Sequence, residues 1–160
     1  MGLDMYLTAR KFLWAIKEED MADQIGNPLI QDLLDVGLTQ KPVSFTDGDF
    51  KLDYIIVQAG YWRKANHIHD WFVQNIQGGE DDCKDYYVDR DTLIELKETC
   101  EKVLLVPGMA GELLASSEGF FFGGTQIDDR YFHNLRHTVT IVETCMKYPE
   151  NWDFHYRSSW

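Results

Sequence analysis

The side chains best suited to chemistry in this chain crowd into one stretch, Gly60-Tyr61-Trp62-Arg63-Lys64-Ala65-Asn66-His67-Ile68-His69-Asp70-Trp71-Phe72-Val73, which runs on to Gln77 before Gly78-Gly79. It reads as a helix from about Tyr61 to Gln77. At ~100° per residue, Tyr61, Ala65, Ile68, Phe72 and Ile76 share a core face, and Arg63, His67, Asp70 and Gln74 share the opposite one. Trp62, Asn66, His69 and Val73 fall on one flank. Exposed helix positions are cheaply filled by Glu, Lys or Ala, so this flank predicts a ligand wall. The Trp62 indole offers a stacking surface, Asn66 a paired donor and acceptor, and His69 a hydrogen bond or a charge. Arg63 could grip a phosphate or carboxylate bidentately. Asp4 and Tyr6, on a strand at the N-terminus, would add polar contacts. The competing reading covers Trp62 and His69 with the rest of the fold and leaves Arg63, His67 and Asp70 as a solvated face. His67 and His69 point ~200° apart on a helix and cannot close on one metal ion.

Other constellations are weaker. Asp129, His133 and His137 have the spacing of ligands on one helix face, but no H-E-x-x-H pattern accompanies them, and an exposed polar face accounts for them better. Phe122-Gly123-Gly124-Thr125 precedes a helix as phosphate loops do. No Gly-Lys-Ser/Thr follows it, and Asp128 and Asp129 put negative charge where a phosphate would sit. The acidic run Glu80–Asp85 lacks calcium-loop spacing and reads as a solvated loop. Ser44, Ser116 and Ser117 have no nucleophile-elbow context. Cys83 stands among acids, a poor setting for a reactive thiolate. Cys83, Cys100 and Cys145 form no C-x-x-C pair, which argues against a zinc ribbon or a redox motif and for reduced thiols. No metal and no cofactor is expected.

The elements that must position these residues emerge from hydrophobic period. Residues 2–8 alternate, with Leu3, Met5 and Leu7 on one side, and predict a half-buried strand. Trp152, Phe154, Tyr156 and Ser158 alternate with Asp153, His155 and Arg157, a closing strand. A short helix is expected over 29–37 after Asn27-Pro28, a turn at 46–49, a central strand over 50–57 ended by Ala59-Gly60, and a short strand at Tyr86–Val88. Thr92 and Glu95 have capping-box spacing for a helix that runs to Pro107. Residues 108–119 read as loop, and Phe120-Phe121-Phe122 as a short strand or wedge. Asp128 or Asp129 caps a last helix whose stripe is Tyr131, Leu135, Thr138, Val142 and Met146, with Pro149 beyond it. The two terminal strands are expected to meet. The fold class is therefore α+β, a mostly antiparallel sheet packed by about three helices, in one globular domain over 1–160; parallel α/β is the alternative.

Composition narrows the function classes. Fifteen Lys plus Arg against 27 Asp plus Glu give a formal charge of −12 over 160 residues. That balance opposes a nucleic-acid footprint, which needs clustered positive charge. The aromatic content of 14% excludes wholesale disorder. No stretch approaches the roughly 20 apolar residues of a membrane span, and no secretory signal opens the chain.

The segments Gly2-Leu3-Asp4-Met5-Tyr6-Leu7, Gly60-Tyr61-Trp62-Arg63-Lys64-Ala65-Asn66, Ile68-His69 and Trp71-Phe72-Val73 together resemble a family of small, largely uncharacterised bacteriophage and prophage proteins. The likeness extends to Gly79-Glu80-Asp81, Cys83, Tyr86, Val88 and Gly119–Gly123. It implies a viral protein acting in the host cytoplasm, in the manner of accessory proteins that disarm host defence, and it carries no catalytic motif. Three functions are weighed. The first is a binding protein that sequesters a small nucleotide-like ligand without catalysis. It requires a local positive pocket built from Arg63, Lys64 or Arg136. The second is an acidic interaction protein that blocks a basic surface of a host protein. The third is a small nucleotide hydrolase or transferase with His69 as general base. Direct nucleic-acid and membrane binding are not expected, and a homo-oligomer is compatible with each.

Overall fold

The structure is a computed structural model that describes residues 2–12, 54–116 and 124–160. The expectations at 27–28, 29–37, 46–49 and 120–122 lie outside the described residues. The chain divides into two compact units, one of residues 1–11 and 56–160, the other of residues 12–55. The first unit carries the sheet and the helices that position the candidate residues.

Strand β1 (Asp4–Phe12) and strand β4 (Asp153–Ser159) pair antiparallel, from Asp4 opposite Ser159 to Arg10 opposite Asp153. The two ends of the chain do share one sheet. A two-residue period on each strand sends one set of side chains inward. Met5, Leu7 and Ala9 on β1, and Phe154, Tyr156 and Ser158 on β4, are buried. Strand β2 (Tyr54–Arg63) lies beside β1, and the short β3 (Tyr86–Val88) pairs antiparallel with β4, giving the order β2-β1-β4-β3. The fold is α+β, with an antiparallel four-stranded sheet that holds both terminal strands.

The described helices are α1 (Asn66–Asn75), α2 (Arg90–Leu105), a one-turn α3 (Ala110–Leu113) after a 3₁₀ turn at Pro107–Met109, and α4 (Asp129–Cys145). Helices α2 and α4 pack on each other. Leu93, Leu96, Cys100 and Val103 are buried on α2, and Tyr131, Leu135, Thr138, Val142 and Cys145 on α4. None of the described helices is long and apolar enough to cross a membrane.

Strand β1 runs on to Phe12, past the expected end at residue 8, and three other boundaries differ from expectation. Helix α2 starts three residues early, because the Asp89 carboxylate accepts from both the Thr92 amide and the Thr92 hydroxyl, at 2.7 and 2.9 Å. Asp89 thus takes the capping role assigned to Thr92. The loop expected from 108 contains the 3₁₀ turn and α3, for which Pro107 supplies a preset first position. The third difference bears on function. Strand β2 does not end at Ala59-Gly60 but continues through Tyr61, Trp62 and Arg63, so these three are strand residues and the helix begins only at Asn66. Lys64, at φ +55°, breaks the strand, and its amide donates to the Leu3 carbonyl at 2.8 Å.

Gly60 is required for close approach rather than for termination. A Cβ at this position would lie 2.7 Å from Ile141 Cγ2 and 3.3 Å from Leu7 Cβ. Helix α4 therefore rests directly on the β2 backbone. Gly60→Ala should destabilise the protein by about 1–3 kcal/mol through overpacking. Urea denaturation of the single variants and of the double variant with Ile141→Ala checks this, since the clash predicts coupling between them of about 1 kcal/mol or more. Additive effects would mean that the clash is relieved elsewhere.

Candidate functional site

The six side chains expected to form one wall separate into two groups. The cause is the strand at 61–63, where successive residues point to opposite faces. Trp62 points inward and is 2% exposed; its indole N–H donates to Thr138 Oγ1 at 2.9 Å and its ring meets Phe72 edge-on. Asn66 is buried and donates from Nδ2 to the Gly124 carbonyl at 3.1 Å. His69 is buried between two partners, with Nε2 3.0 Å from Asp81 Oδ2 and Nδ1 2.8 Å from the Tyr156 hydroxyl. A carboxylate accepts, so Nε2 carries a proton toward Asp81, and the Tyr156 hydroxyl lies within hydrogen-bond distance of Nδ1. Tyr156 itself is fully buried and stacks on Phe72 at 3.9 Å. Trp62 and His69 are therefore buried packing and tethering residues that share no exposed flank with Arg63, whereas Asn66 lines a cleft. With both ring nitrogens engaged, His69 is not disposed as a general base toward an incoming substrate.

Asp4, Tyr6 and Arg63 do come together, on the outer face of the sheet. Tyr61, which the helical reading assigned to the core, joins them there and is 37% exposed. Its hydroxyl donates to Asp4 Oδ1 at 2.5 Å, and its ring lies 5.5 Å from that of Tyr6. The bond to Asp4 holds the Tyr61 phenol above its ordinary pKa. Arg157 from β4 reaches over the Tyr6 ring at 5.8 Å. Arg63 keeps its Nε 3.9 Å from Asp4 Oδ1 with its side chain 63% exposed, a loose pair that leaves the guanidinium able to reach another anion. Two tyrosine rings, two guanidiniums and a carboxylate are thus set side by side on an open face. Tyr61 and Arg157 were missed by the helical reading. The signal that finds them is the alternation of strand residues once 61–63 is continued from β2.

A second constellation lies where β2 turns into α1. A cleft of about 100 Å³ is lined by Lys64, Asn66, His67, Ser116, Gly124, Gln126, Asp128, Arg130, Tyr131 and Asn134. His67 was expected on a solvated face but is 3% exposed and lies against the Tyr131 ring at 4.1 Å. Burial lowers its pKa to about 4, so the ring is neutral at pH 7.

The acidic loop is tied to the sheet rather than merely solvated. Asp81 meets His69 and Ser158, Asp82 accepts from Lys84 and Tyr86, and Asp85 accepts from Arg10 at 2.6 Å and His155 at 3.0 Å. Hydrogen bonds from Lys84 hold the Asp82 carboxyl below its ordinary value. Cys83 sits in this loop at φ +57° with Ser158 Oγ 3.9 Å from its sulfur. Cys100 and Cys145 are buried free thiols, whose pKa values burial raises to about 12. Among the described residues no group of three His, Cys, Asp or Glu side chains could hold a metal ion. His133 and His137 stack in parallel at 6.3 Å, and His137 Nε2–H donates to the Tyr61 carbonyl at 2.9 Å.

No family model, no curated protein and no solved structure matches this chain.

Proposed function

We propose that this protein binds a small nucleotide-like ligand without catalysis, as a phage-encoded counter-defence factor that sequesters the ligand in the host cytoplasm. The observation that carries the reading is the convergence of Asp4, Tyr6, Tyr61, Arg63 and Arg157 on the exposed face of the sheet. An aromatic ring can stack a base, a guanidinium can take a phosphate bidentately, and a carboxylate can accept from a ribose hydroxyl or a base amine. The proposed contacts keep Asp4, Tyr6 and Arg63 and put Tyr61 and Arg157 in place of Trp62, Asn66 and His69.

Calorimetry against a panel of mono-, di- and cyclic nucleotides tests this. One class should bind, and Tyr61→Ala combined with Arg63→Ala should weaken it by tenfold or more. The double variant should keep its thermal stability within a few degrees, since both side chains are substantially exposed and surface changes cost about 0.5 kcal/mol or less. Failure of every nucleotide to bind, or binding unchanged in the double variant, would sink the assignment.

A second reading is favoured by one observation. Asp91, Glu95 and Glu98 lie along the exposed side of α2, and the chain carries a charge of −12. This stripe suits a protein that covers a basic host surface, and such a complex would weaken strongly as salt rises.

A further inference from the structure

We propose that the cleft between β2, α1 and the start of α4 is a separate binding site for a phosphate-sized oxyanion. Its size excludes a whole nucleotide, because pockets that bury drug-sized ligands measure roughly 300–1,000 Å³, whereas this one is about 100 Å³. Its charge is locally positive in an acidic protein. Lys64 and Arg130 line it as cations, against the single carboxylate of Asp128. That carboxylate is already engaged, accepting from the Arg130 and Tyr131 amides at 3.0 Å each as the cap of α4.

The N-terminus of α1 differs from that of α4. Its cap residue is Ala65, which has no side-chain oxygen to offer, and its first turn contains no acid. The positive end of a helix ordinarily attracts an anion or an acidic cap, and here the sequence supplies Lys64 instead. Lys64 is held by its backbone bond to Leu3, and its stem passes so close to Gly2 that a Cβ there would lie 2.9 Å from Lys64 Cε.

The independent observation is a pair of unpartnered polar atoms. His67, in the first turn of α1 and only 3% exposed, forms part of the cleft wall, and its Nε2 has no hydrogen-bond partner among the described residues. Ser116 lines the same cleft, and its Oγ also lacks a partner among them. A buried polar group without a partner is costly, because it has given up its bonds to water and gained none. An oxyanion accepts from an imidazole N–H, a hydroxyl, an ammonium and a guanidinium alike, the donor types that the residues of this cleft bring together.

The test is titration of the 160-residue chain with sodium sulfate and with inorganic phosphate, followed by amide chemical shifts and calorimetry, with chloride at matched ionic strength as control. Saturable binding of both tetrahedral anions is expected, with the largest shifts at Asn66, His67 and Arg130. Lys64→Gly combined with Arg130→Gln should weaken binding at least tenfold. Glycine adopts the positive φ of Lys64 without strain, so this variant should fold. Tyr61→Ala with Arg63→Ala should leave sulfate binding unchanged, which separates this site from the sheet face. Shifts that track ionic strength alone, or equal binding by the Lys64/Arg130 double variant, would overturn the proposal.

Discussion

Replacing Trp62 by alanine should lower the free energy of unfolding by about 3–5 kcal/mol, the usual cost of deleting a large buried aromatic side chain. The indole is among the largest fully enclosed side chains, lies against Phe72 and donates to Thr138. Removing it opens a cavity between β2, α1 and α4 and takes away a buried hydrogen bond. Trp62→Phe keeps most of the volume and should lose about 1–2 kcal/mol, chiefly the hydrogen bond and part of the packing. Domains of this size are stable by about 5–15 kcal/mol, so the alanine variant should sit near the edge of folding at 37 °C. Equilibrium denaturation in urea, with thermal scans, gives the result directly. A change below about 1 kcal/mol would mean that Trp62 is not the core residue described. The same experiment separates two roles, because a ligand-stacking tryptophan on a surface would leave stability nearly unchanged and reduce binding instead.

The second large effect is an acid destabilisation carried by His67. Burial lowers its pKa from 6.5 to about 4. Above pH 6.5 the ring is neutral in both folded and unfolded chains, and the group makes no demand. As pH falls below 6.5 the unfolded chain takes up a proton that the folded protein refuses, so stability falls with pH until the folded pKa near 4 is reached. At 1.36 kcal/mol per pKa unit, the loss across this window is on the order of 3 kcal/mol. The hydrogen-bonded carboxyls of Asp82 and Asp89 are held below 3.8 and lose their contribution only at lower pH, outside the window. His67→Leu removes the titrating ring and should flatten the stability curve between pH 6.5 and 4 relative to the parent protein. Parallel curves for the two proteins would refute the assignment.

Much of the fold was legible in the sequence because it depends on local period. Leu3, Met5 and Leu7 alternate with Asp4, Tyr6 and Thr8, and Phe154 and Tyr156 alternate with His155 and Arg157, so both terminal strands and their inward faces emerge from a two-residue repeat. The buried stripe of α4 from Tyr131 to Val142, and its cap at Asp128, reflect a helical period and a preferred capping side chain. The candidate site was legible only in part. A run such as Tyr61-Trp62-Arg63 fits either period, and Gly60 looks like a terminator until Ile141 is brought against it.

Local pattern alone therefore specifies the two terminal strands, the long helices, and the crowding of functional residue types between 60 and 73, and it points to the α+β class; the pairing of the terminal strands joins residues far apart in sequence. The direction in which those residues face is set by long-range packing. Contact with α4 holds 61–63 as a continuation of β2, and a strand in place of a helix sends Trp62 into the core and Arg63 to the outer face beside Asp4 and Tyr6. Packing against Tyr131 likewise takes His67 out of water and lowers its pKa, an effect of burial among residues distant in sequence that no local spacing encodes.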